Sequence, residues 1–162
     1  MRLLRALGLV LLMAVGAPDL AQAAAEEINA SANATLHKFV EQYQSAQELG
    51  KKAAGALVFP SVVKAGFGLG GAYGEGVLIV HGNAAGYYNI VSASFGFQMG
   101  VQAQSVIILF MTEDALNQFE QSSGWKVGVD GSVVVVNLGA AGSIDTDNLT
   151  SPILGFILIS RG

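Results

Sequence analysis

Gly66-Phe67-Gly68-Leu69-Gly70-Gly71 spells GxGxxG, the pattern that cradles a dinucleotide pyrophosphate. That chemistry needs a helix N-terminus directly after the glycines, so that backbone N–H groups and the helix dipole meet the phosphate. Here Gly74, Gly76 and the run Val77 to Val80 follow, which is strand chemistry, so a glycine-faced strand is expected and no cofactor. Asp145-Thr146-Asp147-Asn148 offers four oxygen-bearing side chains in a row, two of them carboxylates. A calcium loop would carry a glycine at its sixth position and a glutamate at its twelfth, and the sixth position here is Thr150. A solvated turn is the fitting reading. His37 and His81 are the only histidines and cysteine is absent, so a zinc site would need a mainly carboxylate ligand set, and no metal is expected. Ser92 and Ser94 lie in no G-x-S-x-G elbow. With no nucleophile, base and acid in a recognisable relation, no catalytic residue is assigned and a non-enzyme is expected.

The basic residues are placed more informatively. Lys51, Lys52 and Lys64 fall within fourteen positions, flank Phe59-Pro60, and meet no acidic residue between Lys51 and Tyr73. A cationic segment carrying an aromatic ring beside an amphipathic helix suits anionic lipid headgroups. From these residues alone the plainer reading is a solvated helix end with Phe59 in the core.

Several elements must position these residues. Residues 1–23 read as a signal peptide: Arg2 and Arg5 at the start, an apolar stretch from Leu7 to Ala17, then Ala21-Gln22-Ala23 as the cleavage site. An exported domain spanning 24–162 is therefore expected, periplasmic or secreted, without a lipobox cysteine. Losing Arg2, Arg5 and Asp19 leaves 6 basic against 11 acidic residues, which argues against nucleic acid as a partner. The 52% apolar and 12% charged content excludes a disordered chain. Ile28, Ala32, Leu36, Phe39, Val40, Tyr43 and Ala46 recur at helical spacing, predicting an amphipathic helical region over 26–55 that ends at Gly50 or runs one turn further. The region 56–162 reads as strands. A turn is expected at His81-Gly82-Asn83 with the return strand from Tyr87, and alternation continues from Ala93 to Ala103. Val106 to Met111 and Val133 to Val136 are strands buried on both faces, and Ile153 to Ile159 is the last. Thr112 caps a short helix with Leu116 and Phe119 facing inward. The fold class is α+β: an N-terminal amphipathic helix, then a strongly coiled, mainly antiparallel sheet or partial β-barrel with one short inserted helix.

In Gly66, Gly68, Gly70, Gly74 and Gly76, with Ala72 among them, the small residues all hold even positions. One face of that strand is nearly without side chains, which calls for a bend or another element packed close.

The blocks LVFPSVVKAGFGLGGAYGEGVLIV, GYYNIVSASFGFQMGVQ, FMTEDALNQF, GWKVGVDGSV and GSIDT together resemble the bacterial branch of the SYLF domain family, from about Lys51 to Ser160. Val58, Phe59, Pro60, Ser61, Lys64, Ala65, Gly66 and Gly68 match one family block, and Tyr73, Gly74, Glu75, Gly76 and Leu78 another. The resemblance implies a lipid-binding domain. Eukaryotic members bind phosphoinositides and associate with actin; bacterial members are mostly exported, where actin is not met. It implies headgroup contacts at Lys38, Lys51, Lys52, Phe59 and Lys64. The expected function is non-catalytic binding of anionic phospholipid. The alternative is a structural or protein-interaction component of the cell envelope, partnered by another protein or a second copy. Related chains continue past the position of Gly162, so an open sheet edge is expected here.

Overall fold

The computed structural model describes residues 2–64, 72–92, 103–122, 133–137 and 150–159. The run Gly66–Gly71, the alternating stretch from Ala93, the segment Trp125–Asp130 and the turn Asp145–Asn148 lie outside them. In chain order the elements are α1 (Arg2–Gln42), α2 (Gln44–Lys52), β1 (Gly55–Lys64), β2 (Ala72–Val80), β3 (Asn83–Ser92), β4 (Ala103–Phe110), α3 (Glu113–Gln121), β5 (Val133–Asn137) and β6 (Ile153–Ile159).

The strands form one open six-stranded sheet in the order β3-β2-β1-β4-β6-β5. Neighbours from β3 to β6 are antiparallel, and β5 joins β6 in parallel. The α+β class expected from the sequence is thus present with the sheet unclosed. Among the described residues, no helix is long and apolar enough to cross a membrane.

Helices cover both faces of the sheet. On one, Ala32 and Phe39 of α1 and Ala46 and Leu49 of α2 pack on Val58, Val77, Ile107, Leu109, Leu154 and Phe156. Phe39 meets Phe156 with ring centroids 4.9 Å apart. On the other, Leu116 and Phe119 of α3 pack on Leu57, Phe59, Leu78, Ile108 and Phe110. The apolar run of β4 serves both, odd residues to α1 and even residues to α3, as period two requires.

The helical periodicity runs unbroken through Tyr43, yet the helix breaks there: Tyr43 is extended, at φ −128° and ψ 111°. The second segment passes Gly50 and ends at Lys52. α1 runs upstream through the expected cleavage position after Ala23. α3 begins as predicted, with Thr112 Oγ1 accepting the Ala115 N–H at 3.1 Å and Glu113 and Asp114 in its first turn.

Pro60 sits inside the central strand although proline has no N–H to donate. The ladder accommodates it with irregularities on both sides, between Val58 and Ser61 toward β2 and between Phe59 and Val62 toward β4. Its carbonyl accepts the Ser105 hydroxyl at 2.7 Å. The extra residue shifts the alternation, so Leu57, Phe59 and Val62 all face α3. The return strand starts at Asn83 rather than Tyr87, because His81 (φ 51°) and Gly82 (φ 78°) form a two-residue turn with both φ positive, the geometry that matches strand twist.

Candidate functional site

β2 separates two environments. Its even residues Gly74 and Gly76 face α3 and β1. A Cβ on Gly76 would lie 2.5 Å from the Phe59 ring and from the Val58 carbonyl oxygen, and one on Gly74 would lie 2.9 Å from the Ser61 oxygen. The side-chain-poor face is therefore filled by β1 at its Pro60 bulge, with the Phe59 ring over Gly76. Glycine is required there by close approach, not by φ.

The odd residues Tyr73 and Glu75 point to the α1 side and are exposed. The Tyr73 hydroxyl donates to Glu75 Oε1 at 3.3 Å. On β3, Tyr87 pairs with Val77, Asn89 with Glu75 and Val91 with Tyr73, so all share this face. The Tyr87 hydroxyl donates to Asn29 Oδ1 of α1 at 3.0 Å, tying the helix to the sheet beside Ile28. Tyr73, Glu75, Tyr87, Asn89 and Ile28 border a cleft of about 510 Å³ that also reaches the α3 side at Phe59, Tyr88 and Phe119. There Tyr88 and Phe119, and Phe119 and Phe110, lie 4.9 Å apart.

Two phenols are perturbed. Partial desolvation, then the Glu75 carboxylate and its hydrogen bond, hold the Tyr73 pKa above its ordinary value. Burial, then the charge of Glu120, does the same for Tyr88. Both stay neutral at physiological pH.

The predicted lipid-contact residues separate. Lys38 is exposed on α1, one residue before buried Phe39, and Lys51 and Lys52 are exposed neighbours in the last turn of α2, where the helix dipole favours cations. Phe59 is corrected: only 2% exposed, it is a core residue on the opposite face of the sheet from α2. Burying the ring over Gly76 removes it from any lipid surface. Lys64 is the last residue of β1, its backbone paired with Ala72; its side chain lies outside the described residues. His81 is exposed at the hairpin turn, and His37 lies 3.1 Å from Glu41 one helical turn on. Among the described residues no three His, Cys, Asp or Glu side chains converge to hold a metal ion.

Sequence reasoning missed the face made by Tyr73, Glu75 and Tyr87. The signal was present in the odd positions between the glycines, which carry polar and aromatic side chains, but the pairing of β2 with β3 was needed to join them.

The open α+β sheet thus carries aromatic and carboxylate groups on one exposed face. Residues 91–162 match the Ysc84 family, described as Las17-binding protein actin regulator, a match consistent with the SYLF resemblance of the sequence blocks. No curated protein matches the chain.

Proposed function

We propose that this is an exported, non-catalytic domain that binds anionic phospholipid headgroups through Lys38, Lys51 and Lys52. The observation that carries the reading is the exposed Lys51-Lys52 pair closing α2, whose Ala46 and Leu49 are anchored on the sheet. The anchored helix presents two cations in a fixed place, each contributing about 1 kcal/mol near an anionic surface. With Phe59 in the core, attachment is electrostatic and peripheral. The Ysc84 match over residues 91–162 supports a role in binding, and cleavage after Ala23 would place the domain outside the compartment where actin is regulated.

The test is co-sedimentation with anionic vesicles. Replacing Lys38, Lys51 and Lys52 with glutamate is expected to abolish binding, and raised salt to weaken it. Undiminished binding by the triple variant would overturn the reading.

One observation favours the envelope-interaction alternative. Val63, Tyr73 and Val91 are cross-strand neighbours on β1, β2 and β3, exposed at 42%, 41% and 75%. Such an apolar row suits a protein partner, and Val91→Asp would abolish any self-association seen by light scattering.

A further inference from the structure

We infer that the end of the cleft bordered by Ile28 and the exposed face of the β2–β3 ribbon takes a quaternary ammonium group, held by the rings of Tyr73 and Tyr87 and the carboxylate of Glu75. This site is independent of the lysines above and calls for the opposite charge in its ligand.

Glu75 faces Asn89 directly across the ladder, with Tyr73 two residues along its own strand and Tyr87 diagonal to it. One carboxylate is thus bracketed by two phenols on one face. Both rings are substantially exposed, Tyr73 at 41% and Tyr87 at 48%, and each hydroxyl is engaged, with Glu75 Oε1 and with Asn29. The rings are held by their hydroxyls, and aromatic faces attract a cation through their quadrupole. Glu75 makes no ion pair among the described residues, and the residues described as lining the cleft include no lysine, arginine or histidine. Among the described residues no cation faces this carboxylate, and it stands at one end of a cleft of about 510 Å³, within the size range of small-molecule sites, that continues to the α3 side at Leu57, Phe59 and Phe119. A primary ammonium would need several acceptors to replace its hydration. A quaternary ammonium has no N–H and needs only charge and apolar contact, which Glu75, the two rings and Ile28 supply. The raised Tyr73 pKa keeps that phenol neutral over the working pH range.

The test titrates the purified full chain with choline chloride while following Tyr73 and Tyr87 ring signals by NMR. Choline is expected to shift both, and its neutral isostere 3,3-dimethylbutanol neither. Glu75→Gln is expected to weaken choline binding about tenfold, as loss of a nearby charge implies, and Tyr87→Ala about threefold. Equal binding of the isostere, an unchanged affinity in Glu75→Gln, tighter binding of butylammonium than of choline, or no choline binding would each overturn the inference. Because Glu75 is exposed, Glu75→Gln is expected to keep the parent circular dichroism; Tyr73→Leu provides a second variant if it does not. Phosphocholine vesicles form the second arm. A positive choline titration with tighter vesicle binding assigns the group to a lipid headgroup, and one with weaker vesicle binding to a free solute; both support the site. The triple lysine variant is expected to retain choline binding, so failure of the anionic-lipid reading and failure of this one are distinguishable.

Discussion

The two faces of β2 meet opposite surroundings. Toward α3, Gly74 and Gly76 present no side chains and are sealed by Val62 and Phe59. Toward α1, Tyr73 and Glu75 stand exposed beside Tyr87. Gly74 and Gly76, the part of the repeat within the described residues, are thus packing positions, and the side chains between and beside them, Tyr73 and Glu75, are the exposed ones. A glycine-rich strand is informative about function through the side chains it leaves on its other face.

The contrast can be broken most severely from the helix side. Phe39→Ala removes the ring that joins α1 to Phe156 and is expected to destabilise by about 3–5 kcal/mol, read by urea unfolding, with choline and vesicle binding lost as α1 detaches. Gly76→Ala tests the sealed face. Its Cβ meets both the Phe59 ring and a backbone oxygen, so a loss of about 2–3 kcal/mol is expected. Shortening the ring in a Gly76→Ala, Phe59→Leu double variant should recover only part of it, because the Val58 oxygen remains. A loss below experimental error would show that β1 does not close on this face.

Thr112→Ala removes the cap of α3, the helix that covers the glycine face, and is expected to lower stability by about 1 kcal/mol without moving either binding activity. On the same face Gln104 is buried, and its Nε2 has no hydrogen-bond partner among the described residues. Gln104→Leu is therefore expected to stabilise by about 1 kcal/mol in the same assay.

The smallest effect belongs to the open face. Tyr73→Phe should leave stability within about 0.5 kcal/mol, as befits an exposed site. Its signature is spectroscopic. The Tyr73 pKa is raised, so the neutral phenol is favoured in the folded protein, and any stability this contributes is full below the unfolded pKa near 10 and lost as pH rises through the folded value. Ultraviolet titration of phenolate should show Tyr73 and Tyr88 ionising late, and Glu75→Gln should bring only the Tyr73 step part of the way back toward 10.

Much of this was legible from local rules. Thr112 with Glu113 and Asp114 announced α3, and the continuous apolar run of β4 announced a strand covered on both sides. The break at Tyr43 was not legible, because its side chain keeps the helical period while its backbone leaves it. Pro60 reads as a strand end, and becomes a strand interior only because two neighbouring strands absorb the irregularity. The Lys51-Lys52 pair was readable as a local run of charge, whereas the position of Phe59 was not: charge alone does not say on which side of a sheet the ring falls.

By itself the sequence determined what depends on neighbours along the chain: the helical period, the alternation of the strands, the cap at Thr112, the turn at His81-Gly82, and a strand with one face nearly bare. The tertiary structure decided what depends on pairing across the chain. It set β1 at the centre of the sheet, β5 parallel to β6, the Phe59 ring over Gly76, and Tyr73, Glu75 and Tyr87 on a single face. The physical reason is that side-chain periodicity gives an element its two faces, and only the register between elements decides what each face meets.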